Sequence, residues 1–289
     1  MREGSRATET GRSHWTIGLA RLRRNRGAVG GAIIILVFVL ASAAAPWLSP
    51  DDPTRTRFEL RFAPPSARHP LGTDSFGRDL FSRVLYGGRL SLSVGLIAIA
   101  ISDVIGIPVG LVTGYRGGRF DDVVMRLVDL WLAFPGLLVA IAIVAILGPG
   151  LQNVMIAIGI GGIPGLVRLV RATVLAVRDH EFIDAARAIG GGDAHIVRAH
   201  IFPNVLAPIV VLTTLRLAGA ILAGVGLSFL GLGAQPPTPE WGAIVAEGRS
   251  YLREAWWVST LPGAAIFLTV MGFNLLGDGL RDAFDPRLR

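Results

Sequence analysis

Ionisable side chains sit inside long apolar runs of this 289-residue chain, among them Asp103, Asp129, Arg216 and Asp278. A charge at bilayer depth is costly, so each is a candidate functional group by default. Asp129 and Asp278 fall near the ends of their runs, where hydration or a nearby partner accounts for them. Asp103 and Arg216 lie deeper. They could line a polar translocation path or brace the chain against a partner span, and the sequence leaves both roles open. Other chemistry finds little support. A nucleophile elbow needs Gly-x-Ser-x-Gly, and in Gly226-Leu-Ser228-Phe-Leu-Gly231 its last position is Leu230. The histidines, His14, His69, His180, His195 and His200, all lie outside the apolar runs, which leaves Ser228 without a base. His180, Asp184, His195 and His200 lack metal-ligand spacing, and His195 and His200 are expected to face different ways on a helix. The chain has no cysteine, so it holds no disulfide, thiolate zinc site or cysteine nucleophile. No catalytic or metal-binding residue is assigned. All 28 basic side chains are arginine, and without lysine there is no GxxxxGK[ST] phosphate loop. Any ATP that drives this protein binds another subunit.

The elements that carry these groups are membrane spans. A hydrophobic content of 52% and a mean hydropathy of +0.56 are too apolar for an ordinary soluble domain. Six spans are expected: 27–46, then 91–114, 126–148, 151–173, 205–230 and 257–279, each about long enough to cross a bilayer. Residues 1–26 read as a polar, mobile, basic N-terminal segment. Ala43-Ala44-Ala45 is similar to a signal-peptide cleavage site, but the apolar run is too long and its leader too extended, so the first span is read as retained. Residues 47–90 form an extracytoplasmic segment, in which Leu80, Phe81, Val84 and Leu85 suit a helix lying at the interface. Residues 91–282 hold the other five spans, and 283–289 form a tail. The net charge of +7 reflects arginines flanking apolar spans, not a nucleic-acid-binding domain. With both termini placed in the cytoplasm, eighteen arginines fall inside and nine outside, seven of these in 47–90.

One polar hinge, within residues 175–204, interrupts the spans. Read as a helix, Glu181 to Gly190 puts Phe182, Ala185, Ala186 and Ile189 on one face and Glu181, Asp184 and Arg187 on another. Gly190, Gly191 and Gly192 stop that helix. Asp193 is a good N-cap for a second short helix that ends before Pro203. Two short helices at an angle, with an alanine pair allowing close approach, make a plug for a groove.

Asp184-Ala-Ala, Gly190 and Pro203 thirteen residues later resemble the EAA loop of ABC importer permeases, with Asp184 for Glu, His200 for Ile and Phe202 for Leu. His69-Pro-Leu-Gly-Thr-Asp74 with Gly77-Arg-Asp79 is similar to the segment before the second span in peptide permeases. Leu227-Ser-Phe-Leu-Gly-Leu-Gly233, Gln235-Pro-Pro-Thr-Pro-Glu-Trp-Gly242 and Phe273-Asn-Leu-Leu-Gly-Asp-Gly-Leu-Arg-Asp-Ala-Phe-Asp-Pro286 resemble signatures of the peptide and nickel branch. Gly224 stands where relatives often carry Glu, and Ile163 where they often carry Trp. The resemblance covers about 27–287. It implies an all-α, six-span permease of the type I ABC importer fold that moves dipeptides or oligopeptides by alternating access. Nickel or another small solute is the alternative cargo, and a passive channel or structural subunit the distant alternative. Expected partners are a homologous permease, two ATPase subunits carrying ATP and magnesium, an extracytoplasmic binding protein and the lipid membrane. This chain itself is expected to bind no cofactor. Coupling to the ATPases is assigned to Glu181, Asp184, Ala185, Ala186, Arg187, Gly190, Asp193 and Pro203, with Asp103 and Arg216 as the candidates for the translocation path.

Overall fold

The computed structural model describes residues 14–284, with side chains from Gly18 onward. The N-terminal residues before His14 and the tail from Asp285, with the last two residues of the C-terminal signature, lie outside the described residues. The fold is all-α, with no β-strand among the described residues and one isolated bridge, Thr73 with Asp79. In chain order the helices are α1 (His14–Leu22), α2 (Arg26–Ala43), the short α3 (Ala45–Leu48), α4 (Leu80–Arg116), α5 (Gly118–Leu132) and α6 (Gly136–Leu147). Then follow α7 (Leu151–Arg178), α8 (Glu181–Ala188), the single turn α9 (Asp193–His195), α10 (Phe202–Phe229), α11 (Trp241–Gly248) and α12 (Trp257–Phe284).

Five helices are long and apolar enough to cross a membrane unbroken: α2, α4, α7, α12 and the continuous stretch 193–229 that contains α10. The expected third span, 126–148, is not one rod. It is the bent pair α5 and α6, which meet at 87°. Pro135 explains the bend: it removes a backbone donor and forces Phe134 away from helical geometry. Six spans result only if this pair counts as one. Two further expectations change. Residues 14–22 form a helix packed on α12 and are not a mobile leader, with Gly18 against the Phe284 ring. Leu80 to Leu85 belong to α4 and not to a separate interfacial helix, and Leu80 is fully buried. At 37 residues α4 is about 55 Å long, well beyond the roughly 30 Å apolar core of a bilayer.

The most extensive helix pair is α4 with α7. Gly106, Gly110 and Gly114 recur every fourth residue and form the seam. A Cβ at each would stand 2.7–2.9 Å from Leu166, Val170 or Val174. Close backbone approach of this kind is how helices pack where lipid offers no hydrophobic contrast. Gly159, Gly162 and Gly224 also sit tightly against neighbouring spans, whereas Gly161, Gly165, Gly219 and Gly226 meet nothing within 4 Å.

The end of the bundle away from the hinge is closed by a buried ionic cluster. Asp74 accepts from the backbone of Phe76 and Arg78 and pairs with Arg78 at 2.6 Å and Arg83 at 3.4 Å. Glu247 on α11 takes Arg78 at 2.5 Å and Arg83 at 3.1 Å. Asp79 caps α4 through the amide and hydroxyl of Ser82 and meets His69 at 2.8 Å. The motif from His69 to Asp79 is therefore architectural. Glu240 is buried beside it, accepting from Ser91 at 2.7 Å and from the Ala243 amide at 3.0 Å.

Glu247→Ala would leave Arg78 and the fully buried Arg83 short of a carboxylate. Removing one partner of a buried pair costs about 3–5 kcal/mol, so the variant should show a clearly lower thermal midpoint in detergent; an unchanged midpoint would refute the role given to the cluster. Burial also pushes the Glu240 carboxyl above its ordinary value, against the pull of Ser91 and nearby amides. Folding thus takes up a proton here, and this group's contribution is full below the ordinary glutamate pKa and is lost as pH rises through the raised value. Glu240→Gln, which keeps the shape without the charge, should flatten the fall in stability above mildly acidic pH in a melting series from pH 4 upward.

Candidate functional site

The seam delivers two helix ends to one place. At the foot of α4, Arg178 from α7 donates to the Gly114 carbonyl at 3.0 Å. Around that foot lies a closed apolar cluster of Leu111, Leu166, Val170, Val174, Ile183, Ala186, Ile196, Ile201, Val205 and Ile209. The hinge helix α8 is seated in it by Ile183 and Ala186. This corrects the expected face. Phe182, Ala185, Ala186 and Ile189 do not act together: Ala186 is 5% exposed and faces the bundle, while Phe182 is 41% and Ile189 88% exposed. The helix has apolar residues on two sides, and the pair Ile183–Ala186 wins the buried one because it fits the cluster. Ala186 is thus a seat for α8 and not a contact for a partner. Phe182, Ala185 and Ile189 form an outward ridge, with exposed Glu181, Asp184 and Arg187 beside it.

The end of α8 is set by hydrogen bonds. The Gly190 amide donates to Arg187 O at 2.9 Å and the Gly191 amide to Ala186 O at 3.0 Å, the paired pattern of a Schellman stop. Gly190 has φ +84°, where a side chain is strained, and a Cβ on Gly191 would stand 2.7 Å from Ala186 O. Asp193 is not the N-cap of the next turn; Gly192 holds that place, and Asp193 opens α9. Its carboxylate instead accepts from the Tyr115 hydroxyl at 2.7 Å, and Arg187 lies over the Tyr115 ring at 5.7 Å while pairing with Asp184 at 3.1 Å. Tyr115 thereby ties the end of α4 to both halves of the hinge.

Pro203 does not end the second helix. The chain runs on from α9 through a π-helical stretch, Ile196–Ile201, into α10, with Pro203 in the first turn of α10. The wider turn makes room for the proline ring, which would otherwise meet the carbonyl four residues back. It also overturns the expectation for His195 and His200: their rings meet edge to face at 5.6 Å. Residues five apart diverge on an α-helix but align where the hydrogen bonding is i to i+5.

The two deep charges find each other. Arg216 Nη1 stands 3.7 Å from Asp103, and Arg216 Nη2 donates to Gly162 O at 2.6 Å and Ser102 Oγ at 3.0 Å. Asp103 also accepts from Thr213 at 2.9 Å. The group therefore links α4, α7 and α10 within one chain. Gly162 is needed for this approach, since a Cβ there would stand 2.5 Å from Arg216. Arg216 lines a cavity of about 250 Å³ walled by small residues including Ala98, Gly162 and Gly219, while Asp103 faces a cleft of about 460 Å³ that reaches Arg198 and Phe202. Asp129 pairs with Arg168 and Asp121 with Arg171, which holds α5 to α7. Asp278 is exposed. Ser228 is buried near the end of α10 away from the hinge and its histidines.

Sequence reading missed Tyr115, Arg178, Arg83, Glu240 and Glu247. The seam that leads to Tyr115 and Arg178 did have a visible signal, the four-residue spacing of Gly106, Gly110 and Gly114.

Residues 106–289 match the family described as binding-protein-dependent transport system inner membrane component, and residues 13–65 match the N-terminal TM domain of oligopeptide transport permease C. The di/tripeptide transport system permease protein DppC of Pseudomonas aeruginosa is 47% identical over 271 residues, covering 92% of this chain and 89% of that one. The dipeptide transport system permease protein DppC of Alkalihalophilus pseudofirmus is 47% identical over 277 residues, covering 96% and 91%. The probable D,D-dipeptide transport system permease protein DdpC of Escherichia coli K12 is 46% identical over 259 residues, covering 90% and 87%. Among solved structures, the inward-facing MetNI methionine ABC transporter shares the fold, with a TM-score of 0.59 at 22% identity over 70% of this chain and 96% of that one. The chain belongs to the inner membrane components of binding-protein-dependent transport systems, among the permeases of peptide ABC importers.

Proposed function

We propose that this chain is one of two homologous permeases that together carry dipeptides or oligopeptides inward by alternating access. Two separate ATPase subunits supply ATP and magnesium, and an extracytoplasmic binding protein delivers the cargo. The hinge faces the cytoplasm in this reading, with both termini on the same side, in keeping with the excess of arginines there. The peptide cargo rests on the names of the relatives at 46–47% identity.

The observation that carries the reading is the two-sided seating of α8. Ile183 and Ala186 fix it to the bundle, and the exposed ridge of Phe182, Ala185 and Ile189 is left for a partner. A helix held rigidly on one side and presented on the other transmits force. When the ATPase dimer closes, the ridge moves with it, and α8 passes the movement through the apolar cluster to α4, α7 and α10. The polar rim of Glu181, Asp184 and Arg187 orients the contact, Gly190 sets its angle, and the Asp193–Tyr115 bond and Pro203 set the exit into α10. The Asp103–Arg216 pair lies where these helices meet, between a mid-bundle cavity and a cleft toward the hinge, and is the proposed polar element of the path.

Two outcomes test this in the assembled complex. Gly190→Val places a β-branched residue in strained geometry, at a cost on the order of 1–3 kcal/mol, so ATP-driven uptake should fall about tenfold while ATP hydrolysis continues. Normal uptake would defeat the hinge role. Arg216→Ala should lower uptake while the ATPase subunits still co-purify; loss of co-purification would mean that Arg216 braces the assembly and does not serve the path.

A further inference from the structure

At the hinge end of the bundle, on a different side from the coupling ridge, lies a cleft of about 440 Å³. It is lined by Pro208, Val211, Leu212 and Leu215 of α10 and by Arg281 and Phe284 of α12. Its walls are apolar apart from one guanidinium. Leu215 packs on Gly277, which closes the floor, and the Phe284 ring that borders the cleft is itself covered by Gly18 of α1.

The depth of Arg281 can be read from helix register. In the antiparallel pair α2 and α12, Gly31 meets Gly272, Leu275 and Leu276, and Gly279 meets Ala28. Continuing by two residues sets Arg281 level with Arg26, the first residue of the apolar helix α2. Arg281 thus stands where the hydrocarbon begins, at headgroup height. On α10, Leu215 sets against Gly277, so the antiparallel register puts Val211 level with Arg281, Leu215 one helical turn or about 6 Å deeper, and Pro208 on the hinge side near Phe284. A guanidinium beside an apolar slot that runs inward to Leu212 and Leu215 matches a phosphate with the upper part of an acyl chain beneath it.

The charge around it has one sign. Arg21 at the end of α1, Arg23 and Arg24 in the turn after it and Arg26 at the start of α2 lie nearby, and neither their side chains nor that of Arg281 has an ion-pair or hydrogen-bond partner among the described residues. Asp278 and Asp282 flank Arg281 on α12, and Asp282 accepts from Asn25 at 3.4 Å. Two carboxylates against five guanidinia leave the rim cationic. Each arginine near the surface favours an anionic lipid over a zwitterionic one.

We propose that this cleft is a binding site for an anionic phospholipid, with the phosphate on Arg281 and one acyl chain along α10. The lipid would fill the gap between α10 and α12 and fasten α1 to the end of the bundle. The site needs neither cargo nor ATP, so it stands apart from the transport reading.

The test is native mass spectrometry of the full chain in detergent, with phosphatidylglycerol and phosphatidylethanolamine of matched acyl chains added in turn. The wild type should retain phosphatidylglycerol preferentially, and Arg281→Gln should cut that retention on the order of fivefold without changing phosphatidylethanolamine retention. Leu212→Trp fills the slot but keeps every charge, and it should also lose phosphatidylglycerol; it carries the test if Arg281→Gln fails to fold. Equal retention of the two lipids, undiminished retention in a folded variant, or displacement of phosphatidylglycerol by millimolar inorganic phosphate would each overturn the proposal, the last by showing a site for a free anion.

Discussion

The structure depends on how closely α4 approaches α7. At Gly110, a single added Cβ would stand 2.7 Å from Val170 and 2.9 Å from the Val167 carbonyl. Spans cannot be driven together by excluding water when lipid surrounds them, so contact area and dispersion must do the work. Three glycines on one face of α4 give that area over two turns. The consequence reaches the hinge. Leu111, Leu166, Val170 and Val174 come from these two helices, and they supply the wall on which Ile183 and Ala186 rest. Widening the seam by a methyl group would move the seat of α8 before it touched α8 itself.

The two ends of the bundle are held by different forces. At the end away from the hinge, three arginines are neutralised within the chain: Arg57 by Asp51 at 2.6 Å, and Arg78 and Arg83 by Asp74 and Glu247. Such pairs add little net positive charge, although their arginines count the same as any others in the sequence. Three of the seven arginines in 47–90 are accounted for in this way, so a plain count overstates the charge of that segment. At the hinge end the arginines of the α1–α2 segment have no carboxylate partner, and their charge remains available to whatever surface lies against them. The first end is a fixed plug and the second an open rim.

Much of the fold was legible because long apolar runs admit one reading in a bilayer. The span positions and the Gly190 stop come directly from residue type, since φ +84° is glycine's region. What escaped was set by tertiary contact. An apolar run from 126 to 148 looks like one span until Pro135 turns α5 away from α6. Leu80 to Leu85 have the pattern of an interfacial helix, yet Trp241, whose ring nitrogen donates to Val84 O at 2.8 Å, buries their surroundings and extends α4 through them. Pro203 reads as a stop because proline usually is one, and no local pattern signals the π-helical turn before it. The carboxylates that close the ionic cluster lie far along the chain from their arginines, with Arg78 and Glu247 separated by 169 residues, and nothing nearby in sequence announces such a pair.

The hinge shows why amphipathicity alone could not assign its faces. A helix between a bundle and a partner is apolar on both sides, so a stripe counted at three- and four-residue spacing mixes residues that serve opposite ends. Burial separates them. Ile183 and Ala186 belong to the fold, and truncating them would loosen α8 from α4 and α7. Phe182 and Ile189 contribute nothing to the apolar cluster that seats α8, and their exposure is tolerable only if something covers them or if the exposed area stays small. Force can pass through such a helix only when its inner attachment is stiffer than its outer one. The closed cluster, the Schellman stop and the Tyr115–Asp193 bond all strengthen the inner attachment, whereas the outer ridge consists of three side chains with no bond of their own to the bundle. The coupling proposed above requires that asymmetry, in which a partner docks on and releases from the ridge while the helix stays fixed to the spans.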